Sequence, residues 1–342
     1  MTDCKDFTPT FSKSYCKFYI QPENPNHVGF CSIPTNYRCL NDVSDYRKII
    51  PLSYSSTGNF MICKQLYYLT AIRGIQTKSS QVGKALKMGT LWDAVLQKYL
   101  GGNISIPDII DEYEIELLEV AKVKALYRAY KYLDVQVEPG GELQAKVDKK
   151  IETGFTYGEG CKIPLEMEIN GFYDRKYPEY FAENKLSGNP QNYLDIFFIQ
   201  SQVGTYFLGD PTLAYCIMEV VRTPDLRLKT SKVKEDESIE EYEERCYQDI
   251  ISRPSYYFIG WDKEQQTYGK KFYRTEFNLD EIKQRYIYIF REIEETRVCG
   301  TWYKNDRMCR GAFPGYPCEY LPICRHDTVS ETIYEIREKP IF

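Results

Sequence analysis

The chain has 342 residues, and its 49 Asp and Glu outnumber its 44 Lys and Arg, which gives a formal net charge of −5. This balance excludes a generally basic protein that coats nucleic acid. Hydrophobic residues make up 43% of the chain, with 31 Tyr and 17 Phe among its side chains. That content is enough for a substantial core and excludes disorder as the main state.

Membrane and secretion signals are missing from the sequence. No apolar run reaches the roughly 18 residues of a membrane helix, and the first residues have no signal-peptide core. We therefore expect a soluble, cytoplasmic protein with no membrane partner. In such a reducing compartment, twelve cysteines favour metal ligation or burial over disulfides.

The chain divides into an N-terminal segment, residues 1–50, and a larger domain, residues 51–342. The first segment is rich in Pro, Asn, Ser and Cys and has little helical periodicity, which predicts an irregular structure. After it, apolar residues recur at three- and four-residue steps. This periodicity predicts helices at residues 59–75, 82–100 and 111–132.

The pattern then changes from helical to alternating. Leu165, Met167 and Ile169 alternate with glutamates, which predicts a half-buried strand that continues to Asp174. Further strands are predicted at residues 142–153, 180–186 and 214–221, and a helix at 192–208. The sequence therefore predicts an α/β fold with the element order α-β-β-β-α-β. Near the C-terminus, Asn278 is predicted to cap another helix.

Asp174, Glu183 and Lys185 form the first candidate site. A turn between adjacent strands would bring Asp174 beside Glu183, and Glu183 and Lys185 share a face because side chains alternate along a strand. Carboxylates bind Mg²⁺ or Mn²⁺, which activates water, and a lysine orients that water or stabilises the phosphate. This set suits hydrolysis of a phosphodiester. Ordinary surface charges are the alternative interpretation.

Gln202 and Tyr206 lie four residues apart on the following predicted helix, so they share one face. In order and spacing, Asp174, Glu183-Asn184-Lys185 and the Gln-x-x-x-Tyr element resemble the PD-(D/E)XK nuclease superfamily, and in particular its RecB-type exonuclease branch. The resemblance implies a restriction-endonuclease-like core, a mixed central sheet flanked by helices. It also implies catalytic roles for Asp174, Glu183, Lys185, Gln202 and Tyr206, and metal binding at Asp174, Glu183 and Asn184.

Asp93 corresponds to a metal-binding histidine of that family. The phrase Gly89-Thr90-Leu91-Trp92-Asp93 resembles the family's Gly-x-x-x-His, with Asp in place of His. Asp is a competent ligand for hard metals, so the departure bears on the metal preference and on the number of ions rather than on activity itself. The alternative interpretation is an acid on the surface of a helix.

Four cysteines form the second candidate site. Cys309, Cys318 and Cys324 follow the predicted core, and Cys63 precedes it. This layout is similar to that of the iron–sulfur exonucleases of the RecB type, including the CRISPR-associated and AddB-like members, and implies a C-terminal Cys-rich segment that helps to hold a [4Fe–4S] cluster. Four thiolates suit zinc equally well. Because the spacing before Cys318 departs from the family pattern, Cys299 is the alternative to Cys309.

The N-terminal segment contains a weaker candidate for a metal site. Cys4, Cys16, Cys31 and Cys39, with His27 nearby, offer ligands for Zn²⁺. They lack the closely spaced pairs of ordinary zinc sites, so plain cysteines in a loop-rich arm are the alternative.

The resemblance implies a metal-dependent exonuclease that hydrolyses DNA at strand ends in bacterial or phage recombination, repair or DNA processing. A helicase or recombinase is the candidate protein partner. Lys146, Lys149, Lys150 and the basic stretch 222–234 are candidates for a DNA-binding strip, with solvated surface as the alternative. The competing hypothesis is a non-catalytic iron–sulfur subunit that binds DNA and serves as a scaffold in a helicase or recombination complex.

Overall fold

The computed structural model describes residues 51–156, 164–230, 236–309 and 317–337. It also gives the backbone of two short N-terminal strands, β1 (Tyr19–Ile20) and β2 (Phe30–Cys31), which pair antiparallel. The side chains of the candidate zinc site, Cys4, Cys16, Cys31 and Cys39, lie outside the described residues.

Eight further strands follow. They are β3 (Pro51–Leu52), β4 (Ile75–Thr77), β5 (Glu142–Thr156), β6 (Pro164–Lys176), β7 (Tyr180–Ser187), β8 (Tyr215–Arg222), β9 (Lys270–Tyr273) and β10 (Tyr334–Ile336). The central sheet has the order β3-β6-β7-β8-β9, and β5 pairs with β6. It is mixed, since β3 and β6 are parallel, β7 and β8 are parallel, and the other pairs are antiparallel. Strands β4 and β10 form a separate antiparallel pair.

Helices cover both faces of the central sheet. They are α1 (Tyr54–Ile62), α2 (Lys64–Tyr67), α3 (Lys84–Tyr99), α4 (Ile106–Glu112), α5 (Leu117–Tyr132), α6 (Ile196–Gly209), α7 (Ile239–Ser252), α8 (Pro254–Tyr257), α9 (Leu279–Cys299), α10 (Asp306–Cys309) and α11 (Leu321–His326). One buried cluster packs α1, α6 and α9 on the sheet, and a second packs α3, α5 and α7. Val220 of β8 belongs to the first cluster and Val221 to the second, as the alternation of strand side chains requires.

The element order α5-β5-β6-β7-α6-β8 confirms the predicted α-β-β-β-α-β core. A mixed sheet flanked by helices confirms the α/β class. The predicted cap at Asn278 is also confirmed, because its side chain accepts a hydrogen bond from the Glu281 backbone N–H at 3.2 Å. At the other end of α9, Gly300 ends the helix in the left-handed conformation, with φ at 65°.

Two helix predictions were wrong in their boundaries. The predicted helix at 59–75 is interrupted at Cys63, whose backbone is extended, and is followed by α2, a π turn at Tyr68–Ile72 and β4. The predicted helix at 111–132 is two helices, because the chain turns at Glu114, where φ is 47°. Apolar spacing runs on through both breaks, so periodicity alone does not reveal them.

The described helices include none with the length and apolar character that spanning a bilayer requires.

Candidate active site and cysteine cavity

Asp174 and Glu183 meet where β6 and β7 separate. The ladder between these strands consists of Arg175 opposite Ala182 and Lys176 opposite Phe181. Asp174 is the next position on β6, so it stands opposite Glu183 on the same face of the sheet. The Asn184 backbone N–H donates to Asp174 Oδ2 at 2.7 Å. The structure therefore brings together the two acids that the strand spacing suggested.

Glu183 is the centre of a hydrogen-bonded group. Its side chain is 2% exposed, and its Oε1 accepts from Lys185 Nζ at 2.6 Å and from Gln202 Nε2 at 2.7 Å. Gln202 also hydrogen-bonds the hydroxyl of Tyr206. One carboxylate oxygen thus connects the lysine of β7 to the Gln-x-x-x-Tyr element of α6.

The packing of α6 fixes Gln202 and Tyr206 in place. Gly204 lies between them, and a Cβ there would stand 2.3 Å from Ile282 Cδ1 of α9, so a larger residue would require the end of the Ile282 side chain to move. The Thr205 and Tyr286 hydroxyls form a buried hydrogen bond of 2.6 Å. The ring of Tyr206 packs against Phe181 at 5.5 Å between centroids. These contacts pack α6 against α9 and β7, and Gln202 of α6 donates to Glu183.

Asp93 reaches the same centre from α3. Its Oδ2 accepts from Gln97 Nε2 at 2.6 Å, and the side chain of Asn184 hydrogen-bonds it as well. Asp93 is only partly exposed, and it lies within electrostatic range of Asp174 and Lys185. Asp93 is therefore half-buried beside the centre, whereas the alternative interpretation placed it on the surface of a helix.

The electrostatics of the centre are those of crowded, buried acids. Burial, and then the Asp174 carboxylate, raises the pKa of Asp93 to about 6. Burial also raises the pKa of Asp174 and, together with Asp174, the pKa of Glu183. Burial on its own would lower the pKa of Lys185, but Glu183 and Asp174 hold it above its ordinary value. The centre therefore carries more negative charge than Lys185 alone balances.

The donor set suits a hard divalent cation. Among the described residues, Asp93 Oδ1, Glu183 Oε2 and Asn184 Oδ1 are buried acceptor atoms without a hydrogen-bond partner. Each such atom costs about 1–3 kcal/mol, and carboxylate and amide oxygens are the ligands that Mg²⁺ and Ca²⁺ prefer. As the described side chains stand, no group of three or more His, Cys, Asp or Glu is close enough to hold an ion without adjustment.

Sequence reasoning missed two side chains of this centre. Gln97 donates to Asp93, and its spacing of four residues on α3 is a signal that could have found it. Gln144 of β5 hydrogen-bonds the side chain of Asp174. The φ of Gln144 is 52°, an unusual value for a residue within a strand, and no sequence pattern predicts this conformation.

The four cysteines of the second candidate site line a single cavity of about 460 Å³. They are Cys63, Cys309, Cys318 and Cys324, and all four are free and partly buried. Cys309 thus lines the cavity, while Cys299, the alternative ligand, is the last residue of α9 and its side chain lies outside the described residues. The thiols of Cys318 and Cys324 lie within electrostatic range of each other and of Cys63 and Cys309.

Contacts between distant parts of the chain build this cavity. Cys63 lies in the break between α1 and α2, and its Sγ accepts from the Asn305 backbone N–H at 3.3 Å. Asn305 Nδ2 donates to the Ile62 carbonyl at 2.8 Å, and Lys304 Nζ to the Cys324 carbonyl at 2.6 Å. Below the cavity, Leu69, Ile75, Tyr320, Ile323 and Tyr334 form a small buried cluster.

The cavity has room for a bound group, but as the described side chains stand its cysteines do not form a group of three or more that could hold an ion. Its volume far exceeds the roughly 10–15 Å³ that one water needs on the same measure. Burial raises the pKa of Cys318 and of Cys324, although Lys304 opposes the shift at Cys324. The raised pKa values favour the neutral thiols, so a metal ion or cluster bound here would have to displace their protons.

No protein-family model and no curated protein matches this sequence. One similar solved structure is the crystal structure of SSO0001. The two chains are 15% identical, and the match covers 51% of this chain and 76% of that chain with a TM-score of 0.21. At that TM-score the likeness does not establish a shared fold.

Proposed function

We propose that the protein is a metal-dependent DNA exonuclease with a restriction-endonuclease-like core and an iron–sulfur cluster, as in the RecB-type PD-(D/E)XK enzymes that its motifs resemble. The observation that carries the proposal is the bonding of Glu183, whose Oε1 receives both Lys185 and Gln202 while its Oε2 has no partner in the described structure. A carboxylate held in this way has one oxygen fixed and the other available to a cation.

In this proposal Asp93, Asp174, Glu183 and the Asn184 amide oxygen hold Mg²⁺ or Mn²⁺. When bound, such a metal activates water and offsets the charge that develops on the phosphate. Lys185, kept protonated by Glu183 and Asp174, orients the attacking water and stabilises the phosphate oxygens. Gln202 keeps Glu183 in position, and Tyr206 borders the reacting centre from α6.

The [4Fe–4S] cluster, held by Cys63, Cys309, Cys318 and Cys324, has a structural role in this proposal. The cysteine cavity joins α1 and α2 to the C-terminal segment, far along the chain from Glu183. Among the described residues that line the cavity, Glu319 is the one carboxylate beside four cysteines, a set that suits a cluster or zinc rather than a hard cation. The cluster therefore stabilises the fold around the core and takes no part in the hydrolysis.

DNA is the proposed substrate, and a helicase or recombinase is the proposed partner. The lysines Lys146, Lys149 and Lys150 are exposed on β5, where they stand opposite Phe172, Ile169 and Glu168 of β6, two to six residues before Asp174. Lys146 also pairs with Asp148 at 2.8 Å. A short basic strip beside a metal-lined centre binds phosphate even when the whole chain is acidic.

The test compares end-labelled linear DNA with covalently closed circular DNA, in Mg²⁺ or Mn²⁺, for three proteins. The wild type should shorten the linear substrate and leave the circle intact. Lys185→Ala should still bind DNA but cleave it at least about 100-fold more slowly, because an electrostatic contact to the transition state is lost. Lys263→Ala, which removes an exposed lysine of the surface, is the matched control and should behave as wild type.

Full activity in Lys185→Ala would contradict the catalytic assignment. Cutting of the circle at the same rate as linear DNA would contradict exonuclease action. A wild-type protein that is brown and binds DNA, yet never cleaves it, would favour the non-catalytic scaffold.

A further inference from the structure

We infer that the buried ion pair between Arg175 and Glu219 holds the metal-binding residues in position by joining β6 to β8 across β7. Arg175 follows Asp174 on β6, and Glu219 lies on β8 in register with Asn184. Arg175 Nη2 contacts Glu219 Oε1, with the two side chains 3% and 12% exposed. The inference rests on the proposed function, since it assigns positioning residues to that site.

The pair crosses one whole strand. In the sheet, β7 lies between β6 and β8, so the two backbones are about 9.5 Å apart. Ala182 of β7 is opposite Arg175 and lies on the face that both charged side chains occupy. It is buried, and its single methyl group leaves a path for the guanidinium to pass. A larger residue at this position would obstruct that path.

The pair lies where the backbone ladder stops. Strands β6 and β7 are in register only at Arg175–Ala182 and Lys176–Phe181, so Asp174 has no ladder partner on β7. Its link to β7 is the hydrogen bond that Asn184 N–H donates to its carboxylate. The ion pair joins Arg175, the residue after Asp174, to Glu219, which is in register with Asn184. The ion pair therefore connects β6 to β8 next to the carboxylates, where no ladder hydrogen bonds join β6 to β7.

Burial makes this pair different from the surface pairs of the chain. Exposed pairs contribute about 0–1 kcal/mol, whereas removal of one partner of a buried pair leaves an uncompensated charge and is strongly destabilising. Such a pair resists small displacements of either strand. Replacement of residues that hold metal ligands by hydrogen bonds changes metal affinity about 10–100-fold, and we take this range as the expected scale for a pair one residue from Asp174.

The experiment uses Glu219→Gln and Arg175→Lys, with Arg128→Gln as the control. Arg128 pairs with Glu243 and Glu244 between α5 and α7, so its loss breaks an ion pair on the surface. Two quantities are measured on the metal-free protein: Mn²⁺ affinity by calorimetry, and hydrogen exchange of the Asn184 amide. We expect Glu219→Gln to weaken Mn²⁺ binding about 10–100-fold and to speed exchange at Asn184. Arg175→Lys, which keeps the charge, should show a smaller change, and Arg128→Gln none.

A third variant covers the case in which the charge variants fail to fold. Ala182→Val narrows the path of the guanidinium while it leaves both charges in place, and it should reproduce the faster exchange at Asn184. A lower melting temperature with unchanged Mn²⁺ affinity and unchanged exchange at Asn184 would overturn the inference, since the pair would then be merely structural. Faster exchange in a protein that neither binds Mn²⁺ nor cleaves DNA would support the positioning role and contradict the proposed function.

Discussion

The carboxylate centre and the cysteine cavity are assembled in different ways. Most of the side chains that meet around Glu183 come from residues 174–206, where strand register and one helix turn fix their places. The others are Asp93, Gln97 and Gln144. The cysteine cavity instead joins Cys63 to three cysteines at the far end of the chain, through loop contacts and a small apolar cluster.

This difference in assembly indicates that the two sites affect the stability of the protein in opposite ways. The centre gathers buried acids whose pKa values burial raises, so its charges destabilise the metal-free protein. The cysteine cavity connects distant segments, so a group bound there stabilises the fold. Substitutions in the centre should alter chemistry at little cost in stability, whereas substitutions in the cavity should lower stability first.

The largest expected effect is on stability, from Cys318→Ser. This change should remove the brown colour of the protein and lower its free energy of unfolding by about 3 kcal/mol or more, because ligand binding to the folded state stabilises it in proportion to affinity. Absorption spectra, iron and sulfide analysis and thermal melting of anaerobically purified protein measure it.

Cys246→Ser is the matched control, since Cys246 is fully buried in another core cluster and lies outside the cavity. It should keep the iron even if its melting temperature falls. An absorption spectrum that stays unchanged in Cys318→Ser would exclude Cys318 as a ligand and remove the contrast between the two regions.

A smaller effect of opposite sign is expected from Asp93→Asn. The folded-state pKa of Asp93 is about 6, above its ordinary value of 3.8, so the carboxylate contributes stability at low pH that is lost as the pH rises from about 4 to about 6. Because Asn does not ionise, the variant keeps this stability as the pH rises. At pH 8 the metal-free variant should be more stable than the wild type by about 3 kcal/mol, and at about pH 3 the two should be equal.

Thermal melting of chelator-treated protein across this pH range checks the prediction. In saturating Mn²⁺ the order should reverse, because the wild type keeps a carboxylate ligand that the variant lacks. Equal melting temperatures of the two proteins at pH 8 would show that Asp93 carries no buried charge.

The smallest expected effect is a change of metal preference in Asp93→His. An imidazole is a borderline donor, so this variant should cleave DNA but favour Mn²⁺ over Mg²⁺ by roughly tenfold relative to the wild type. Cleavage rates at graded concentrations of each metal measure the ratio. If neither the apparent affinity nor the preference changes, Asp93 lies outside the metal shell.

Much of the fold and the grouping of Asp174, Glu183, Lys185 and Gln202 follow from periodicity. An alternating strand, a short turn and a second strand place Asp174 beside Glu183, and helical spacing places Gln202 and Tyr206 on one face. These relations involve neighbours in sequence, so local patterns contain them.

The remainder depends on three-dimensional packing. The extended backbone at Cys63 and the left-handed conformation at Glu114 break elements that apolar spacing would continue. The ion pair of Arg175 and Glu219 joins two strands across a third, and two charged residues 44 positions apart give no sign of such a contact. Register within the sheet is needed to see it.

The most direct test of the account is a titration of Mn²⁺ into metal-free wild type and Glu183→Gln, followed by calorimetry or by the electron paramagnetic resonance of free Mn²⁺. It depends on neither the DNA substrate nor the iron–sulfur cluster. The account predicts that the wild type binds Mn²⁺ and that Glu183→Gln binds it at least about 10-fold more weakly, because a buried carboxylate ligand has become an amide. Equal binding by both proteins, or no binding by the wild type, would contradict a metal centre at Glu183.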